Sequence, residues 1–140
     1  MRRVLIALAV IVAAVLGGGW WYSSHPAIEP LAAPPDASKF DKKVVERGEV
    51  LASLGYCTVC HTRAGGPALA GGLGLPTPFG TIYATNITPD PDTGIGRWPE
   101  AAFRRAMREG VDRDGRHLYP AFPYDHFTRV TDEDVSALYA

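Results

Sequence analysis

Two cysteines separated by two residues, with a histidine directly after the second, constrain this chain more than any other feature. They lie in YCTVCHTRAGGPALAGG, residues 56–72, as Cys57, Cys60 and His61. No other cysteine occurs in the 140 residues, so no framework of disulfides can staple the fold. The pattern admits three readings: a zinc site, a redox disulfide or the attachment point of a haem. A structural zinc usually takes four ligands in two pairs of Cys or His, and no second C-x-x-C or H-x-x-x-H follows. A thioredoxin-like pair belongs on a βαβ framework, and the chain shows no such alternation. C-x-x-C-H is the signature of c-type haem attachment. In that chemistry Cys57 and Cys60 add across two vinyl groups as thioethers, and His61 comes under the macrocycle as the proximal iron ligand. One helical turn separates the two sulfurs, which suits two neighbouring attachment points.

Size and charge fit the same reading. A domain of about one hundred residues buries only about two thirds of its surface, so a large cofactor at its centre would add much of the missing apolar contact. Fourteen Lys and Arg against fifteen Asp and Glu leave no strong field, which argues against nucleic acid as a partner.

The N-terminus is set apart. Arg2 and Arg3 precede residues 4–22, 19 positions without a charge that end in Trp20, Trp21 and Tyr22. That length lies within the roughly 17–25 residues that cross a bilayer as a helix. Arginines before the run and aromatics after it match the positive-inside rule and an interfacial belt. The competing reading is a signal peptide cut after Gly19, and the aromatic cluster favours an uncleaved anchor. In both cases the remainder is exported. Residues 23–39, with four prolines, read as a semi-rigid linker able to reach some tens of ångströms at about 3.1 Å per residue. His25, beside Pro26, reads as a solvated residue of that linker.

Residues 40–55, FDKKVVERGEVLASLG, predict a helix with Asp41 as N-cap and a stripe of Val44, Val45, Leu51, Ala52 and Leu54. Gly48 in its middle costs about 1 kcal/mol against alanine, which implies close approach of another backbone. Gly and Pro dominate residues 65–99, so strands of useful length are not expected there. WPEAAFRRAMREG predicts a second helix, with Pro99 and Glu100 in its first turn and Gly110 at its end. Thr131 and Asp134 in TDEDVSALYA are spaced as a capping box. That third helix meets residue 140 without a C-cap, and the chain is expected to continue.

From residue 40 to 140 the chain resembles class I cytochrome c domains. It is most similar to those in the cytochrome c subunits of bacterial membrane-bound dehydrogenases acting on alcohols, aldehydes, sugar acids or N-heterocycles. The residues that carry the resemblance are CTVCH (57–61), TPFGTIYATNITPDPDTGIGRW (77–98), FRRAMREGVDRDGRHLYPAFPY (103–124) and DEDVSALYA (132–140). It implies an all-α domain of about three main helices around one covalent haem c, with the first and last helices crossing. Gly48 then offers the crossing point, with Leu138 and Tyr139 as opposing knobs. Such subunits generally carry three haem domains, of which this would be the first. The expected organisation is a membrane segment at 1–22, a linker at 23–39 and the cytochrome domain at 40–140. The resemblance also places the loop of Asn86 at the propionate edge. Trp98 is either an indole donor to a propionate or a core aromatic. A backbone carbonyl, with the loop around Pro67 as candidate, would fix the His61 tautomer.

The implied role is electron transfer without substrate chemistry, on the periplasmic side of the inner membrane. Electrons would come from a dehydrogenase catalytic subunit and leave through further haems toward quinone or an oxidase. A haem domain with an open sixth position, binding a ligand or acting as a peroxidase, is the rival. One residue bears on that choice. In LYPAFPY, Phe122 stands where the family commonly has its distal methionine. His126, four residues on, is the expected distal ligand, giving a bis-histidine iron of low potential. An open site and ligation by Met107 remain alternatives, while His117 reads as a turn histidine. Arg104, Arg105 and Arg108 read as a solvated helical face or, alternatively, a docking patch for a partner subunit.

Overall fold

The computed structural model describes residues 2–140, and of Tyr22 the backbone only. Helix α1, Arg2–Ser23, stands apart with exposed side chains along its length. Its residues Arg2–Trp21 are long and apolar enough to cross a bilayer. Trp20 and Trp21 lie exposed at its end, whereas the side chain of Tyr22 falls outside the described residues.

The regular structure of the globular part is mostly helical. Helix α2, Lys42–Leu54, starts where Asp41 accepts the Lys43 amide at 2.8 Å. A short helix α3, Cys57–His61, follows it. Helix α4, Glu100–Glu109, ends at Gly110 in the left-handed conformation, and α5, Asp132–Tyr139, begins where the Thr131 hydroxyl accepts the Asp134 amide at 3.2 Å. Only this half of the expected capping box is made. The Asp134 carboxylate turns to Arg47 of α2 at 2.5 Å, tying the two helices together.

Helices α2 and α5 cross at Gly48, where a Cβ would lie 1.9 Å from the Ala137 carbonyl oxygen. The close approach inferred from the glycine is therefore present, but the opposing group is the Ala137 backbone rather than Leu138 or Tyr139. Tyr139 packs instead against Phe40 and Phe103, with ring centroids 6.3 and 5.9 Å away. The fully buried hydrophobics are small, with Val111 and Val135 the largest. The apolar rings face a central cavity instead of filling a solid core.

Residues 65–99 differ from expectation. They contain an antiparallel hairpin, β1 Gly74–Thr77 and β2 Gly80–Tyr83, with Leu75 opposite Ile82. The Thr77 hydroxyl closes its turn, donating to the Gly80 carbonyl at 2.6 Å and accepting the Phe79 amide at 3.2 Å. Four residues per strand suffice because Leu75 and Ile82 both line the cavity, so packing supplies what propensity does not. The segment after α1 also departs from a free linker. The Ile28 amide donates to the Arg113 carbonyl and the Leu31 amide to the Arg97 carbonyl, each at 2.8 Å. Nor is His25 solvated on its own: its ring stands edge-on to His117, centroids 5.2 Å apart.

Candidate functional site

The site begins at the break between α2 and α3. Gly55 ends α2 by donating to the Leu51 carbonyl at 2.8 Å, and Tyr56 takes a left-handed conformation, φ 55°. A side chain held there costs on the order of 1–2 kcal/mol. The turn it makes starts a new helix, on which Cys57, Cys60 and His61 all reach one cavity. Both thiols are free. Burial pushes the Cys57 thiol above its ordinary value, so it rests as the neutral thiol.

The His61 ring is oriented by backbone. Its Nδ1 lies 2.7 Å from the Thr85 carbonyl oxygen. A carbonyl only accepts, so Nδ1 carries the proton and Nε2 keeps the lone pair that a metal would use. The orienting carbonyl is thus Thr85, not one from the loop around Pro67. Gly71 lets the Thr85 segment come this close: at φ +75° its Cβ would meet the Thr85 carbonyl carbon at 2.5 Å. The Gly71 amide also donates to the His61 carbonyl at 2.7 Å, so one glycine ties the histidine to its partner.

The cavity measures about 1130 Å³, above the roughly 300–1,000 Å³ of ordinary small-molecule pockets. Leu75 and Ile82 of the hairpin, Phe103 and Met107 of α4, and Leu138 and Tyr139 of α5 give it apolar walls. Two free thiols one helical turn apart, an imidazole with its Nε2 lone pair available and apolar walls of this extent fit a haem c. Among the described residues no three His, Cys, Asp or Glu side chains gather to hold a metal ion by themselves.

Asn86 and Trp98 both line the cavity. The Asn86 amide is occupied within its own loop. Its Oδ1 accepts the Thr88 amide at 2.9 Å and the Thr88 hydroxyl at 2.7 Å, while its Nδ2 donates to the Thr93 hydroxyl at 2.9 Å. The Trp98 carbonyl accepts the Tyr139 hydroxyl at 2.9 Å. Phe122 and Phe127, which also line the cavity, stack with centroids 5.6 Å apart. His126 lines the cavity from the short 3-10 turn Tyr124–His126. Its side chain is 75% exposed, and the nearest carboxylate, Asp125, lies 4.0 Å away. Met107 reaches the same cavity from the buried face of α4. His117 is not among the residues lining it.

The three arginines of α4 do not form a solvated face. Arg104 bonds Glu100 at 2.9 Å and also pairs with Asp132. Arg108 pairs with Asp132 at 2.8 Å and donates to the Val130 carbonyl. Arg105 is 9% exposed. The helical spacing of Ala102, Arg105 and Ala106 places Arg105 on the buried face, a signal present in the sequence but hidden by the basic neighbours. Thr85 left no comparable signal, because any residue supplies a carbonyl.

No family model matches the chain. It is 62% identical over 107 residues to a subunit of the nicotinate dehydrogenase of Pseudomonas putida, covering 76% of this chain and 9% of that protein. It is 53% identical over 110 residues to the cytochrome c subunit of the alcohol dehydrogenase (quinone) of Gluconacetobacter polyoxogenes, covering 79% and 23%. To the gluconate 2-dehydrogenase cytochrome c subunit of Pantoea cypripedii it is 54% identical over 97 residues, covering 69% and 22%. The chain spans about a tenth to a quarter of the length of these curated relatives.

Proposed function

We propose, from the premise that most of this chain is similar to one part of dehydrogenase cytochrome c subunits, that it carries electrons on one covalently bound haem c in a class I cytochrome fold. The observation that carries the reading is the convergence of Cys57, Cys60 and an Nδ1-protonated His61 on one apolar-walled cavity. When bound, haem c supplies one-electron transfer at its iron. The chain's own part is to hold, orient and shield that group. Cys57 and Cys60 fix it to α3, His61 offers Nε2 on the proximal side with Thr85 keeping the ring in register, and the apolar walls exclude water. No residue of the site is assigned to substrate chemistry; that belongs to a dehydrogenase catalytic subunit that hands electrons on.

His126 is the proposed distal ligand. It borders the cavity, and its exposed ring has freedom to turn inward, whereas Met107 is fixed in the packed face of α4. Two imidazoles favour ferric iron more than an imidazole and a thioether do, so the potential is low, suited to an early acceptor passing electrons to further haems or quinone. Trp98 and Asn86 belong to the haem surroundings, Asn86 by holding its loop. Helix α1 anchors the chain in the inner membrane, with the cytochrome domain on the periplasmic side.

The test is expression of the chain with periplasmic haem-attachment machinery. Expected is a Soret band that persists after acid–acetone extraction, with one haem per chain by pyridine haemochrome, and a reversible one-electron couple. A chain that exports, folds and binds no haem would contradict the reading.

A further inference from the structure

Arg105 sits where the segment after the membrane helix meets the loop behind the cavity. Its guanidinium donates to the Pro26 carbonyl at 2.7 Å, to the Arg113 carbonyl at 3.0 Å and to the Asp112 carbonyl. One buried cation thus joins residues 25–32 to the loop 110–118. Its acceptors in these contacts are all backbone carbonyls, so charge alone does not hold it there. A buried guanidinium that loses an acceptor bears the desolvation cost of that donor, which favours the arrangement in which both segments stay seated.

The loop is stiff. Leu118 donates to the Gly110 carbonyl at 2.7 Å and Asp112 to the Arg116 carbonyl at 2.8 Å. The Asp112 carboxylate accepts the amides of Asp114 and Arg116 at 2.9 and 2.8 Å. Asp112, Arg116 and Leu118 also line the cavity. The segment lies directly against this loop: a Cβ on Gly115, at φ +83°, would fall 2.0 Å from the His25 carbonyl oxygen. Beyond it, Arg97 donates to the Ala32 carbonyl at 3.0 Å.

We propose that residues 25–32 form a strap and that Arg105 is a positioning residue, coupling the strap to the wall that carries Arg116 and Leu118. The chain leading out of the membrane helix is then part of the haem site, and the inference rests on the haem reading above. A loosened strap shifts the loop, and with it the Arg116 charge and the Leu118 packing at the cavity wall, where a bound haem would sense both. Haem properties therefore depend on a segment that does not itself touch the cavity.

The test uses the full chain in membranes or detergent. Arg105→Met is compared with Arg104→Met, a control on the same helix whose partners are Glu100 and Asp132. Gly115→Ala disturbs the strap from its other side with Arg105 intact and keeps the test alive if Arg105→Met does not accumulate. The readouts are amide exchange at Ile28 and Leu31, the reduction potential and the near-infrared magnetic circular dichroism of the ferric form. Loss of one or two hydrogen bonds to a charged donor corresponds to roughly ten- to hundredfold faster exchange. Expected is that acceleration in both strap variants, with a shifted potential that the control lacks and that Arg105→Lys partly restores. Fast strap exchange with unchanged potential and spectrum would overturn the coupling and leave a mere tether. Unchanged exchange in both strap variants would show that Arg105 does not hold the strap. A wild-type chain without haem would instead overturn the underlying reading, and the proposal with it.

Discussion

On one side of the cavity, Cys57, Cys60 and His61 share a five-residue helix, and a main-chain carbonyl holds the imidazole at 2.7 Å. Elsewhere on its lining Phe122 stacks on Phe127, while His126 and Met107 reach the cavity from different elements. The proximal wall is built from backbone geometry, with a left-handed Tyr56 and a glycine at 71 that admits no side chain. The wall proposed as distal is built from side chains on a loop, a 3-10 turn and α4. Backbone placement allows little variation without breaking the fold. A distal side chain can change identity while the cavity persists, and the ligand with it.

The strongest way to break this contrast is at the attachment point. Cys57→Ala with Cys60→Ala is expected to abolish covalent haem retention, read as loss of the extraction-resistant Soret band. A reactive pair needed only for folding would leave retention unchanged. Next comes the helix crossing. Gly48→Ala places a Cβ 1.9 Å from the Ala137 oxygen. The helices must separate, with an expected loss of about 3 kcal/mol or more in denaturant unfolding of the holo form. A loss below about 1 kcal/mol would show that α2 and α5 do not meet as described.

The proximal orientation is tested more finely by Gly71→Ala. Pushing Thr85 away weakens the His61 hydrogen bond and lowers the donor strength of the ring. With about 1 kcal/mol at stake, the potential should rise by roughly 40 mV for one electron. An unmoved potential would mean that Thr85 does not tune the ligand. The smallest effect concerns the Asn86 loop. Hydrogen bonds from the Thr93 amide and then the Thr93 hydroxyl hold the Asp90 carboxyl below its usual range. A depressed carboxyl contributes stability above its ordinary value and loses it as pH falls through the folded value. Loss of Thr93 amide protection, measured against its intrinsic exchange rate, is therefore expected only below the usual carboxylate range, and loss of protection at neutral pH would contradict it.

The local structure around α2 and α4 was largely legible in the sequence. Asp41 and Gly110 announce helix ends, Gly48 announces a contact, and C-x-x-C-H marks the three side chains that the structure brings to one cavity. What escaped were features made by backbone or by distant partners. The Thr85 carbonyl has no side-chain signature. Arg105 reads as one more basic residue until its acceptors, 7, 8 and 79 positions away, are in place. The hairpin falls in a Gly- and Pro-rich stretch whose strands form because Leu75 and Ile82 have a cavity to face. The strap is a proline-rich run whose intrinsic preference is extended, and only the carbonyls and amides of the domain decide where it lies. Two side chains of suitable chemistry, His126 and Met107, reach the same cavity, and sequence spacing alone does not rank them.

The most direct test is near-infrared magnetic circular dichroism of the ferric chain, whose charge-transfer energy reports the axial pair. The account predicts the bis-imidazole position, lost in His126→Ala and retained in Met107→Leu. An imidazole–thioether band that vanishes in Met107→Leu would contradict it and assign the distal side to α4.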